Sequence, residues 1–279
     1  MAASAQPSEP ASATGLGRGF PSDRAALVVY LMAGYPDRAG SLAGLHVVAD
    51  AGADVIELGV PYTDQLADGP VIVHASSDAR NAAGGRFGLA ETLVLAAEFV
   101  AERRSMDKPC PPIALMTYLN PVIKFGFAEA AAAMADAGIA GVIIPDLPPD
   151  NPMSSDWLSA SRPRGLDTVF LVAPTSTPER MKTVAEASTG FVYCVSSVGI
   201  TGERARLRDD LADVVAKVKE WASVPVAVGF GVSTSQQAEQ VAEMADGVVV
   251  GSAVVRRQSD LDALGAFIGE LVSAVRAGS

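Results

Sequence analysis

The stretch AGADVIELGVPYTDQLADGP, residues 51–70, predicts the end of a helix, a buried strand and an acidic loop in direct succession. Gly52 suits the left-handed position just past a helix end. Val55–Leu58 is a short apolar run, as in parallel strands that are buried on both faces. The stretch AGIAGVIIPD at 137–146 repeats the order of Ala-Gly, strand and loop. This repetition predicts that helices and parallel strands alternate along the chain.

Eight short apolar runs are the predicted strands: Ala26–Met32, Val55–Leu58, Ile113–Thr117, Gly141–Ile144, Thr168–Val172, Phe191–Val195, Val226–Val228 and Gly247–Val250. Ala-rich, helix-compatible stretches lie between them: Ser41–Ala51, Leu89–Arg103, Ala128–Ala137, Pro178–Ala187, Leu207–Ala222 and Ser235–Met244, with Asp260–Val275 closing the chain. The alternation predicts an α/β fold of one domain, the (β/α)8 TIM barrel. A doubly wound open sheet is the alternative, but the first βα turn has no GxGxxG fingerprint.

The first residues of the chain differ from the rest in composition. They are rich in Ala, Ser and Pro and lack the apolar region of a secretory signal. We therefore predict a flexible N-terminal tail at 1–24 and a TIM-barrel catalytic domain at 25–279. No apolar run reaches the roughly 20 residues that a membrane span requires.

Composition narrows the classes of function. A length of 279 residues is typical of one α/β barrel, and the net charge of −11 argues against nucleic acid or an anionic membrane as the main partner. The two cysteines have no CxxC spacing, which fits core residues in a reducing compartment. The two histidines have no His or Cys neighbour at ligand spacing, so the sequence predicts no metal site and gives poor support to a Ser-His-Asp hydrolase.

Two connections are long, one from Val60 to about Arg86 and the other from Ser196 to about Arg206. The βα loops form the catalytic face of a TIM barrel, so unusually long ones are candidate lids. The first carries Asp64 and Asp68 directly after the second strand.

Glu57 is the residue most unexpected in a buried strand. Side chains alternate along a strand, so Glu57 faces the barrel interior if Ile56 and Leu58 face the helices. A carboxyl group there has its pKa raised by the apolar wall, which suits a general acid/base. A structural Glu that bonds the backbone or a basic group is the alternative. Asp68 has two possible roles. It either forms a simple Asp-Gly turn, or it is the second member of a carboxylate pair that divides proton transfer with Glu57.

Glycines at the ends of the last strands favour a phosphate site. They lie in GITG at 199–202, GFGVS at 229–233 and GSA at 251–253. Loops after strands 7 and 8 of TIM barrels bind phosphate through backbone N–H groups and a helix N-terminus. Aromatic and apolar residues at strand ends suit a flat apolar group: Tyr30, Met116, Tyr118, Phe191, Tyr193 and Phe230. The residues thus predict a phosphate ester with an apolar moiety, handled by acid/base chemistry.

Six motifs together resemble the α subunit of tryptophan synthase: IELGVPYTDQLADGP, LMTYLNPV, GVIIPDLP, GFVYCVSSVGITG, VAVGFGVS and ADGVVVGSAVV. The resemblance runs from about Ala25 to the C-terminal helix. It implies retro-aldol cleavage of indole-3-glycerol phosphate to indole and glyceraldehyde 3-phosphate, in tryptophan biosynthesis. It also implies an α2β2 assembly with a β subunit, no cofactor in this chain, and pyridoxal phosphate only in the β partner.

Roles for single residues follow from this resemblance alone. Glu57 resembles the general acid/base that protonates indole C3 and takes the proton of the glycerol C3′ hydroxyl. Asp68 resembles the aspartate that holds the indole N–H, and Thr201 the threonine that bonds this aspartate when a lid closes. Gly202, Gly231, Gly251 and Ser252 resemble the phosphate amide donors. The pocket walls match Tyr30, Met116, Tyr118, Ile143, Leu171, Tyr193 and Phe230, and the β interface matches Pro61, Asp64 and Asn120.

The chain departs from the family pattern in three places. The family usually has Pro where Gln65 stands, and usually Leu near Arg80. The N-terminal helix that caps the bottom of the barrel is hard to find before Ala25. The first two departures lie in the segment that carries Asp68.

Two other functions stay open at this point. One is a free-standing indole-3-glycerol phosphate lyase that releases indole, and the other is a non-catalytic phosphate-binding regulator of a β subunit. We expect a cytoplasmic protein, with the plastid stroma as the alternative.

Overall fold

The structure is a computed structural model that describes residues 15–65, 68–195, 210–229 and 231–279. In this part of the chain nine parallel strands form one sheet. They are β1 (Ala26–Met32), β2 (Val55–Gly59), β3 (Ile113–Met116), β4 (Ile139–Ile143), β5 (Asp167–Val169), β6 (Leu171–Val172), β7 (Val192–Val195), β8 (Val226–Gly229) and β9 (Gly247–Val250).

The sheet closes through the predicted fifth strand, which is interrupted at Phe170. Its first piece, β5, pairs with β4, and its second piece, β6, pairs with β7. The remaining neighbours are consecutive, and β1 pairs with β9. When β5 and β6 are counted as one interrupted strand, the ring has eight strands and each has a partner on both sides. The prediction of a single-domain TIM barrel is confirmed.

The helices of the described residues are α1 (Arg38–Asp50), α2 (Pro70–Ala82), α3 (Leu89–Ser105), α4 (Leu119–Phe125), α5 (Phe127–Asp136), α6 (Ser154–Ser161), α7 (Pro178–Ala187), α8 (Leu211–Lys219), α9 (Ser235–Ala242), α10 (Ser252–Val255) and α11 (Leu261–Ala277). Sequence analysis did not predict α2, α4, α6 or α10. None of the helices in the described ranges is long and apolar enough to cross a membrane.

Helix α2 corrects the prediction of one long loop from Val60 to Arg86. The connection after β2 ends at Gly69, and Pro70 begins the helix at a position where its missing N–H costs nothing. The buried residues are Ile72, Ala75, Ser76 and Ala79, the 3–4 spacing of one helix face. Alanine and serine make that face only weakly hydrophobic, so the periodicity of apolar residues in the sequence does not indicate a helix there. The other predicted long connection, Ser196 to about Arg206, lies outside the described residues.

Buried apolar residues form two layers, one inside the barrel and one between the sheet and the helices. Ile56 and Leu58 belong to the layer between sheet and helices, whereas Val55 packs inside the barrel. Glu57, between them, is 1% exposed. The predicted alternation along β2 is confirmed, and it places a carboxyl group inside the ring.

Part of the segment predicted as a flexible tail closes the bottom of the barrel. Gly15–Gly19 forms a 3-10 helix in which Leu16 is fully buried. The Leu16 N–H donates to Asp167 Oδ2 at 2.8 Å. A Cβ atom on Gly141 would lie 2.5 Å from Leu16 Cδ1, so the glycine makes room for this side chain. The domain boundary at Ala25 stays a prediction, but contact with the barrel begins before it.

Leu16→Ala should lower the free energy of unfolding by roughly 2–5 kcal/mol, because a buried leucine leaves a cavity when it is truncated. Urea titration followed by circular dichroism measures this. Leu261→Ala, at a position that is 36% exposed, is the matched control and should change stability by about 0.5 kcal/mol or less. Equal stability of the two variants would mean that Leu16 is not a structural plug.

Candidate active site

Glu57 lies inside the barrel at the level of Tyr30 and Ala114. It pairs in register with Tyr30 on β1 and with Ala114 on β3. Its Oε2 atom is buried and has no hydrogen-bond partner in the described part of the chain. A buried polar atom without a partner costs free energy, so its position needs an explanation. The site thus holds a buried carboxyl group with an oxygen that none of the described residues engages.

Asp68 comes from the connection between β2 and α2 and turns inward over the same opening. The residue is 8% exposed. The Tyr118 hydroxyl donates to Asp68 Oδ2 at 2.9 Å, and Gln65 Nε2 donates to the same oxygen at 3.2 Å. Tyr118 follows β3 at the N-cap position of α4, whereas Gln65 lies in the connection after β2, so the two donors come from different connections of the barrel.

The two carboxyl groups differ in protonation because their surroundings differ. Burial raises the pKa of Glu57 to about 8, and the negative charge of Asp68 adds to the rise. Burial raises the pKa of Asp68 to about 6, against the hydrogen bonds from Tyr118 and Gln65, which lower it. At neutral pH the pair therefore holds a protonated Glu57 and an ionised Asp68. That division suits an acid beside a charge that stabilises a cation.

The predicted pocket walls are buried around this pair. Tyr30, Met116, Ile143 and Tyr193 belong to the inner apolar layer, Leu171 packs against it, and Tyr118 is 4% exposed. Burial keeps the pKa of Tyr30 and Tyr193 well above the usual range, so both hydroxyl groups stay protonated.

Phe191, another of the expected aromatic residues, belongs to the same inner apolar layer, and its ring centroid lies 6.1 Å from that of Tyr193. Phe191 precedes β7, and its ring centroid lies 5.3 Å from that of Phe20 in the N-terminal segment. It therefore packs towards the bottom of the barrel, because the residue before a strand lies at the amino end of that strand. Phe230 lies outside the described residues.

The structure describes only some of the candidate phosphate donors. Gly231 has a φ of +101°, a conformation that favours glycine. Gly251 and Ser252 form the start of α10, where backbone N–H groups have no acceptor within the helix. A Cβ atom on Gly251 would lie 3.7 Å from Tyr30 Cβ, which places this turn beside the pocket wall. Thr201 and Gly202 lie outside the described residues.

The expected interface residues lie next to the acidic loop. Asp64 and Asn120 are exposed, whereas Pro61 is buried. Asn120 Nδ2 donates to the Tyr62 hydroxyl at 2.6 Å, and the Tyr62 ring lies 5.7 Å from that of Tyr118. A series of contacts therefore connects Asn120 at the surface to Tyr62, then to Tyr118, whose hydroxyl donates to Asp68.

Sequence reasoning missed two residues of this network. Tyr62 received no role, and Gln65 was noted only as a departure from a family pattern. A polar side chain three positions before a buried aspartate is the one signal that pointed to Gln65. No pattern in the sequence predicted the hydrogen bond between Tyr62 and Asn120, because these residues are 58 positions apart.

Within the ranges that the structure describes, no group of three or more His, Cys, Asp or Glu residues is placed to hold an ion. The absence of a metal and of a cofactor stays a prediction.

Comparison with known proteins gives one consistent family. The family model described as "Tryptophan synthase alpha chain" matches residues 20–266. The curated tryptophan synthase alpha chain of Mycobacterium tuberculosis strain H37Rv is 42% identical over 276 residues, which cover 97% of this chain and 97% of the relative.

Solved structures agree with this result. A structure of Mycobacterium tuberculosis tryptophan synthase superposes with a TM-score of 0.84 at 41% identity, covering 95% of this chain and 99% of that one. Tryptophan synthase subunit alpha from Legionella pneumophila has a TM-score of 0.79 at 31% identity, over 90% of this chain and 93% of that one. The similarity in sequence and in fold thus extends over nearly the whole chain.

Proposed function

Because the chain belongs to the tryptophan synthase alpha chain family, we propose that Glu57 and Asp68 divide the work of the retro-aldol cleavage of indole-3-glycerol phosphate. The observation that carries this assignment is the pair of buried carboxyl groups with pKa values of about 8 and about 6. One is protonated and the other is ionised at neutral pH. The cleavage needs a proton donor and a negative charge at the same time.

The steps follow from these two protonation states. Glu57 gives its proton to indole C3, and Asp68 accepts the indole N–H and stabilises the positive ring. The Glu57 carboxylate then takes the proton of the C3′ hydroxyl. The bond between indole C3 and C3′ breaks, its electron pair returns to the ring, and C3′ becomes the aldehyde carbon of glyceraldehyde 3-phosphate. Indole leaves, and Glu57 is protonated again, so protons and electrons balance.

The remaining site residues bind and orient the substrate in this proposal. Backbone N–H groups of Gly231, Gly251 and Ser252, together with Gly202, receive the phosphate, because N–H groups at a helix start attract anions. Thr201 bonds Asp68 when the substrate is present. The walls that enclose the indole are Tyr30, Met116, Tyr118, Ile143, Leu171, Tyr193 and Phe230.

The proposal includes a partner and a location. Asp64, Asn120 and the loop that begins at Pro61 meet a β subunit in an α2β2 assembly, and pyridoxal phosphate is bound only by that subunit. No cofactor is needed in this chain, since the two carboxyl groups supply acid, base and charge. The cytoplasm is the proposed location.

Indole release from indole-3-glycerol phosphate should have a bell-shaped dependence on pH. The rate rises as Asp68 loses its proton near pH 6 and falls as Glu57 loses its proton near pH 8. A coupled pair titrates in two apparent steps, so the two limbs belong to the pair. Initial rates between pH 5 and 10, with indole separated and quantified, measure the profile. A rate that keeps rising well above pH 8 would contradict the role of Glu57 as the initial acid.

The same assay with an added β subunit separates the alternatives. A large increase in the rate indicates an α subunit that is controlled by its partner. Fast release without the partner indicates a free-standing lyase. No release in either condition indicates a non-catalytic regulator, an outcome that the buried pair of Glu57 and Asp68 argues against.

A further inference from the structure

Gln65 is one of only two donors that hold the carboxylate of Asp68 in the described part of the chain. The other is the Tyr118 hydroxyl, at 2.9 Å from Asp68 Oδ2, and Gln65 Nε2 reaches the same oxygen at 3.2 Å. Both are side chains. An ionised carboxylate has acceptor sites on two oxygens, so two bonds on one oxygen leave the other for a ligand.

Asp68 does not use the donors that its position in the sequence offers. Aspartate next to a helix start commonly accepts a bond from the first backbone N–H groups. Here Gly69 is the N-cap of α2, and no side chain caps the helix. The carboxylate of Asp68 turns instead towards Tyr118, 50 positions away. Among the described residues no backbone N–H reaches this carboxylate, so its ionised form depends there on Tyr118 and Gln65.

The orientation of the Gln65 amide is fixed by chemistry. An ionised carboxylate only accepts hydrogen bonds, so the NH2 group and not the carbonyl oxygen must face Asp68. Another side of Gln65 lines a surface groove of about 330 Å³ that also contains Thr63, Ser77 and Arg80. Gln65 is only half-buried. Substitution there removes a bond to Asp68 without opening a hole in the core.

We propose that Gln65 is a positioning residue, which holds Asp68 through Oδ2 in the ionised and oriented form that receives the indole N–H at Oδ1. The inference rests on the proposed function for the identity of the ligand, but the bond between the two side chains stands on geometry alone. Among the described residues no hydrogen bond reaches Asp68 Oδ1. The hydrogen bonds from Tyr118 and Gln65 both lower the pKa of Asp68, which is the expected action of a donor on a carboxylate.

Two variants test the proposal by a direct titration of Asp68. Gln65→Met keeps the length of the side chain and removes the donor, and Gln65→Glu places a second carboxyl group against Asp68. The shift of the Asp68 carboxyl carbon is followed by NMR with pH, in protein labelled with 13C-aspartate and assigned with Asp68→Asn. Gln65→Met should raise the midpoint by roughly 0.5–1 pH unit, a threefold to tenfold change in proton affinity. Gln65→Glu should raise it further, because like charges disfavour ionisation.

Activity gives the second readout. The acidic limb of indole release should move to higher pH in the same order, while the rate at the pH optimum falls less than about threefold in Gln65→Met. Gln240→Met makes the same chemical change at an exposed position of α9 and should leave both the midpoint and the acidic limb unchanged.

The two failures are distinguishable. Midpoints of Asp68 that are equal in wild type, Gln65→Met and Gln65→Glu overturn the role of Gln65, whatever the activity. A uniform loss of rate at all pH values, with no movement of the limb, also overturns it, because this result indicates loop packing only. A shifted midpoint in a protein that releases no indole supports the action of Gln65 on Asp68 and removes the proposed function instead.

Discussion

Glu57→Gln is expected to lower the rate of indole release by roughly 10²- to 10⁴-fold, the loss that accompanies removal of a positioned acid/base. Glutamine keeps the shape of the side chain but can neither give a proton to indole C3 nor take one from the C3′ hydroxyl. Substrate affinity should change little, because the carboxyl group of Glu57 is neutral when substrate binds. Single-turnover rates at saturating substrate separate the two quantities.

A matched control and a clear counter-result make this test decisive. Glu270→Gln makes the same change on the exposed surface of α11 and should leave the rate unchanged. The variant at Glu57 should also lose the alkaline limb of the pH profile. Near-normal turnover in Glu57→Gln would remove this residue from the mechanism, even if Asp68 proved essential.

Asp68→Asn is expected to lower the rate by roughly 10²- to 10³-fold, as for the loss of an electrostatic group that faces developing charge. The change removes the negative charge that stabilises the positive indole ring, and it places a donor near the indole N–H. Tyr118→Phe, which removes only a donor to Asp68, should cost about tenfold. The order of the two effects shows whether the charge of Asp68 or its orientation matters more.

The pH profile of Asp68→Asn carries a second expectation. The charge of Asp68 contributes to the raised pKa of Glu57. Its removal should therefore move the alkaline limb to lower pH and should abolish the acidic limb. Asp136→Asn, an exposed change at the end of α5, is the control and should alter neither limb. An acidic limb that persists in Asp68→Asn would assign this limb to another group.

The predicted fold was correct because burial on both faces of a parallel sheet leaves short, near-continuous apolar runs that are visible in the sequence. Helix α2 was not predicted because its buried face includes Ala75, Ser76 and Ala79, which have little apolar surface. The packing of the N-terminal segment was not predicted because its apolar residues, Leu16 and Phe20, are isolated in the sequence, and the burial of Leu16 depends on the space above Gly141.

For the candidate site, local pattern was sufficient to place Glu57. Side chains alternate between the two faces of a strand, so Glu57 must face inward if Ile56 and Leu58 face the helices. The same reasoning found Asp68 as a loop residue near the opening but not its partners. The bonds from Tyr118 and Gln65 depend on where the chain returns after β3 and on the course of the loop.

The sequence by itself determined the barrel, the inward direction of Glu57 and the nearness of Asp68, since all three follow from the alternation of strands and the order of elements. Only the tertiary structure decided which groups surround the two carboxyls. It leaves Glu57 Oε2 without a partner among the described residues and gives Asp68 two side-chain donors on one oxygen. Burial, the charge of Asp68 beside Glu57 and the two bonds to Asp68 together set the protonation states. All of these depend on groups within a few ångströms that are brought together by folding.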